Sequence, residues 1–154
     1  MIPGDRLICA FIENRPNGDT FMEWPLHATI VPWFRLDMAT SELATKIMQK
    51  LSAIEPFMVT VGGEAGFGHR GRKVVNLIET PSPLETIERL ARRLLHDHDA
   101  WLVDETTKRQ HGFRPHVTRQ KSGRVQEGGT FTIENLYIVE QKGEYKEVVG
   151  RIDL

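Results

Sequence analysis

The chain has 154 residues and a formal net charge of -1, from 20 Lys plus Arg against 21 Asp plus Glu, with 40% hydrophobic and 27% charged residues. That balance excludes a disordered chain, which carries fewer apolar residues and more net charge. It also excludes a protein that coats long nucleic acid, which is strongly basic.

The size suits one domain, or two small lobes sharing an interface. Arg6 to Ile12 is dense in apolar and β-branched residues and reads as the first strand. Its apolar run is too short for a membrane span or a signal-peptide core, and no other stretch is a better candidate. The protein is therefore expected to be cytoplasmic. Cys9 lies in that run and is the single cysteine, so an intramolecular disulfide and a cysteine-based zinc site are excluded. A buried small hydrophobe is its expected role.

Asn14 to Asp19 is a loop by its turn chemistry. His27 to Val31, between Pro25 and Pro32, is limited by proline to about five residues of strand. Leu43, Ile47, Leu51 and Ile54 recur at helical spacing and predict a helix over Thr40 to Ile54, capped by Thr40 or Ser41. Phe57, Val59 and Val61 alternate as a strand. A glycine-rich turn, Gly62 to Gly71, and a strand, Val74 to Ile78, follow. Gly66-x-Gly68 is hairpin chemistry rather than a phosphate loop, because a strand and not a helix comes after it.

Ser82-Pro83-Leu84-Glu85 places a capping box around proline at the first helical position, and Leu84, Ile87, Ala91 and Leu94 or Leu95 supply the buried stripe. His96-Asp97-His98-Asp99 reads as a polar loop after that helix. His116 to Gln120 is a short, proline-preceded segment. Phe131 to Glu140 and Tyr145 to Leu154 form a terminal hairpin, with Lys142-Gly143 near its turn. This order predicts an α+β fold, antiparallel β-sheet with two helices packed on it. It lacks the strand–helix alternation of a parallel nucleotide-binding sheet.

One internal echo carries chemistry. His27-Ala28-Thr29 and His116-Val117-Thr118 share the pattern His-x-Thr, each in a short proline-flanked segment, one in each half. Residues two apart on a strand share a face, so each segment presents an imidazole beside a hydroxyl. Two imidazoles divide acid and base roles near neutral pH, and hydroxyls bond the non-bridging oxygens of a phosphate. That set suits in-line attack at phosphorus. Between Thr106 and Gln126 stand Lys108, Arg109, Arg114, Arg119, Lys121 and Arg124, with no Asp or Glu. The glycine-rich turn adds His69, Arg70, Arg72 and Lys73. Trp24, Trp33, Phe34 and Phe113 flank the motifs; such residues are ordinarily core, but one or two could stack a nucleobase.

The paired motifs resemble those of the 2H phosphoesterases, also called the 2'-5' RNA ligase or RNA 2',3'-cyclic phosphodiesterase family. The size, the 89 positions from His27 to His116 and the β-rich layout fit over most of the chain. The resemblance implies one domain over residues 1–154, made of two pseudo-symmetric lobes of antiparallel sheet with helices packed outside and the active-site cleft between the lobes. It implies opening of 2',3'-cyclic phosphate ends to a 2'-phosphate without a metal or other cofactor, and for some members making or cleaving 2'-5' linkages.

The motif residues carried over are His27 and His116 as catalytic groups, with Thr29 and Thr118 on the phosphate. His116 is taken as base and His27 as acid. After each Thr the family places a hydrophobic residue; Ile30 fits and Arg119 departs, which leaves the subfamily and substrate open. Arg70, Arg72, Lys73, Arg114, Phe113 and Trp33 are candidate substrate-binding residues. The expected partner is an RNA 3' end or a nucleotide with a 2',3'-cyclic phosphate, bound by a monomer with no membrane involved. Two rivals stand beside this reading: a non-catalytic RNA-binding module with the same fold, and a metallohydrolase using His96, His98 and His111.

Overall fold

The structure is a computed structural model that describes residues 1–103 and 112–154. The first half holds strands β1 (Arg6–Phe11), β2 (Thr20–Phe21) and β3 (His27–Arg35), helix α1 (Thr40–Lys50), then β4 (Phe57–Phe67) and β5 (Lys73–Ile78). Helix α2 (Pro83–Asp97), β6 (Trp101–Leu102), β7 (His116–Thr118), β8 (Thr130–Ile133), β9 (Asn135–Gln141) and β10 (Lys146–Asp153) follow. The strands join in the order β2-β10-β9-β1-β3-β7-β5-β4-β8, with β6 paired to the far end of β3. Among the described residues every strand pairing is antiparallel. The α+β expectation holds, and the sheet has a first wing, β2-β10-β9-β1-β3, and a second, β7-β5-β4-β8, each drawing strands from both halves of the chain and meeting along β3 and β7.

Alternation along β1 sorts the two faces. Ile8 and Ala10 enter the main core, where they meet Leu43 and Ile47 of α1 and Leu84, Ile87 and Leu95 of α2. Leu7, Cys9 and Phe11 point the other way, into a second cluster with Tyr137, Val139 and Val148. Cys9 is fully buried there, and burial raises its thiol pKa. Among the described residues no helix is long and apolar enough to cross a membrane.

Local chemistry explains the boundaries. Ser82 accepts from the Leu84 N–H while Glu85 reaches back to the Ser82 N–H, so the capping box forms as expected. Helix α1 differs. Its N-cap is Ala39, without a side-chain cap, because the Thr40 hydroxyl accepts from the buried guanidinium of Arg6 at 3.1 Å. It also ends a turn earlier than its apolar spacing predicts; Leu51 closes it, and Ile54 packs on the core from outside the helix.

Three strand predictions need correction. β3 runs through Pro32 and is nine residues long, not about five. Pro32 falls where the β1–β3 register slips, between Ile8↔Val31 and Arg6↔Phe34; a bulge tolerates the missing N–H. β4 continues through Gly62-Gly63, which form another register slip under an Asn76 amide that donates to the Gly62 carbonyl. The turn thereby shrinks to residues 68–72. Phe131 to Glu140 is two strands: β8 pairs with β4, and β9 crosses to β1.

Candidate active site

Ala28 and Val117 are Cα partners across the β3–β7 pairing, and both are buried. Antiparallel geometry then sets His27 opposite Thr118 and Thr29 opposite His116, on the reverse face. Directly opposed residues lie about 5 Å apart and the His27–His116 diagonal about 7–8 Å. That span lets one phosphate sit between two imidazoles. All four residues are half-buried. A local two-fold axis through the Ala28/Val117 pair exchanges one motif with the other.

The imidazoles are held alike. Nδ1 of His27 is 2.8 Å from the Pro25 carbonyl oxygen, and Nδ1 of His116 is 2.8 Å from the Arg114 carbonyl oxygen. A carbonyl only accepts, so each Nδ1 carries a hydrogen and donates it; in the neutral ring Nε2 is then the nitrogen without a hydrogen. Their surroundings differ. Trp24 stacks on His27 with ring centroids 4.2 Å apart and planes 29° apart. Phe67 meets His116 at 4.5 Å, tilted by 60°. Burial pushes the His27 pKa down to about 4; its bond to Pro25 opposes the shift, and the charges of His116 and Lys73 add to it.

A family model described as the 2'-5' RNA ligase superfamily matches residues 8–143. The chain belongs to this superfamily. No curated protein matches it. Solved structures share the fold at low identity. A structure titled simply phosphoesterase has TM-score 0.59 at 14% identity, and E. coli LigT complexed with 3'-AMP gives the same two values, each covering 99% of both chains. The protein TT0787 of Thermus thermophilus has TM-score 0.60 at 18% identity over 97% of both chains.

Around the paired His-x-Thr segments, the remaining candidates take distinct places. Lys73 opens β5, close enough for its charge to act on His27. Arg114 is exposed and lies over the Phe67 ring at 4.9 Å. Arg70 and Arg72 are exposed in the turn between β4 and β5. Trp33 is half-buried in the second cluster, 6.2 Å from Trp24, and Phe113 packs partly against the main core. The long acid-free stretch is not acid-free in space: Lys121 pairs with Glu23 and Arg124 with Glu64. Arg119 is exposed just past β7, its N–H donating to the Val74 carbonyl.

His96 and Asp97 belong to the last turn of α2 rather than to a loop, and His98 is its C-cap. No group of three or more His, Cys, Asp or Glu that could hold a metal occurs among the described residues. Lys108, Arg109 and His111 lie outside them. Two neighbours escape a reading of the sequence. Phe67 ends β4, inside the stretch that reads in sequence as a glycine-rich turn, and Lys146, whose ammonium lies 5.7 Å over Trp24, comes from the terminal hairpin; the sheet order brings them to the motifs.

Proposed function

We propose that this member of the superfamily is a metal-independent phosphoesterase that opens a 2',3'-cyclic phosphodiester on an RNA 3' end or a small nucleotide. The carrying observation is the cross-strand set of His27, Thr29, His116 and Thr118 on one sheet face. Nε2 of His116 removes a proton from water, the water oxygen bonds to phosphorus, and the P–O3' bond breaks. Nε2 of His27 donates a proton to O3', leaving a 2'-phosphate. Thr29 and Thr118 donate to the non-bridging oxygens, and Lys73 and Arg114 offset their charge. With a ribose 5'-hydroxyl in place of water, the same steps make a 2'-5' linkage.

His27 is neutral at pH 7 in the free protein, whereas an acid needs its proton. A bound phosphate anion supplies the missing counter-charge and draws that proton in. Both imidazoles come from one chain, so residues 1–154 act as one two-lobed domain and a monomer suffices.

The test is hydrolysis of a 2',3'-cyclic nucleotide in EDTA. The wild type turns over, and His27→Ala and His116→Ala each lose about 10²–10⁴-fold. Undiminished activity in either variant sinks the site. RNA binding without turnover by the wild type would instead favour the non-catalytic module.

A further inference from the structure

The β4–β5 turn is built for tightness. A Cβ on Gly66 would sit 2.5 Å from the Gly71 carbonyl oxygen, and Gly68 and Gly71 both take left-handed φ, 73° and 65°. Arg70, between them, is left-handed too, at φ 55° and ψ 27°. Glycine is the default residue for that conformation, because a Cβ disfavours it. The chain uses glycine at two neighbouring positions and arginine at this one, so folding alone does not account for Arg70. Its side chain is exposed, as are those of Arg72 and Lys73, and none of the three has an ion-pair partner among the described residues. The turn is also tied to the motifs. Phe67 at its base touches His116, and Lys73 acts on His27.

We propose that this turn, with Arg70 at its tip, binds a backbone phosphate of single-stranded RNA upstream of the reacting group, so that the substrate is an RNA chain end rather than a free nucleotide. The proposal rests on the phosphoesterase reading, and it explains a strained cation as a phosphate contact. A 2',3'-cyclic phosphate requires a ribose, which sets RNA apart from DNA.

Arg70→Gly removes the charge and relieves the backbone together. The melting temperature of the variant should equal or exceed that of the wild type. In EDTA its binding to a labelled short RNA ending in a 2',3'-cyclic phosphate should weaken about tenfold, with the slope of log affinity against log salt shallower by about 0.7. The kcat/KM preference for that RNA over 2',3'-cyclic AMP should fall by a similar factor. Unchanged RNA affinity and salt slope in Arg70→Gly overturn the proposal, as does a wild type that treats both substrates alike. Absence of turnover on both substrates strikes at the phosphoesterase reading instead, and the binding measurement still decides the role of Arg70.

Discussion

His27 shows how much two contacts change a side chain. The bond to Pro25 fixes which nitrogen carries hydrogen, and the Trp24 ring strips water from one imidazole face. A proton-transfer pair that works on a single proton fails once His27 also protonates, so kcat/KM should fall off below about pH 4. Trp24→Ala restores water to the ring and should move that acidic limb upward, toward the ordinary histidine value of about 6.5, while Trp24→Phe holds it nearer 4. NMR titration of the His27 ring protons checks the same shift directly. The division of roles has its own test. A phosphodiester with an aryl leaving group needs no acid, so His27→Ala should be far less impaired on it, whereas His116→Ala stays impaired. The reverse pattern exchanges the roles.

At the scale of elements, α2 and α1 make a useful contrast. The box at Ser82 is closed in both directions, so Ser82→Ala should cost about 1 kcal/mol in a denaturant titration. Thr40 is equally able to cap by its chemistry, yet its hydroxyl serves Arg6, 34 residues away in sequence. That contrast shows what the sequence made legible. Capping, periodicity and turn chemistry are local, and they located both helices and the strands β1, β5 and β10. The passage of β3 through Pro32 depends on a register slip against β1, and the division between β8 and β9 depends on which strand each half meets. Local patterns do not record such long-range choices. The basic stretch was legible as composition, but the pairing of Lys121 and Arg124 with Glu23 and Glu64 was not, because those acids arrive from other strands and loops.

At the scale of the molecule, the β1–β3 pair links the two ends of the first wing. His27 lies at one end; Arg35, at the other, donates to both carboxylate oxygens of buried Asp5, at 2.7 and 3.0 Å. Asp5 also accepts from the Ile2 N–H. The Arg35 hydrogen bond is the largest influence holding the Asp5 carboxyl below its usual value of 3.8, against the opposing effect of burial. The folded-state pKa is the depressed one, so this stabilisation is fully present above about pH 4 and lost as pH falls through the folded value. Asp5→Asn should cost about 1–3 kcal/mol at neutral pH. The variant should converge with the wild type as the pH falls through that window, read from unfolding midpoints against pH. Because Asp5 is remote from the motifs along β3, turnover of the folded variant should stay near the wild-type value.

The axis between Ala28 and Val117 has a consequence for direction. In an in-line displacement the entering and departing oxygens stand on opposite sides of phosphorus. A half-turn about that axis interchanges them and brings each imidazole onto its counterpart. The backbone therefore offers the forward and backward reactions the same scaffold. The unlike flanks, tryptophan against one ring and phenylalanine against the other, set arrival apart from departure. Whether such a site cuts or joins is then governed less by its catalytic groups than by what occupies the entering side, water or the hydroxyl of another strand.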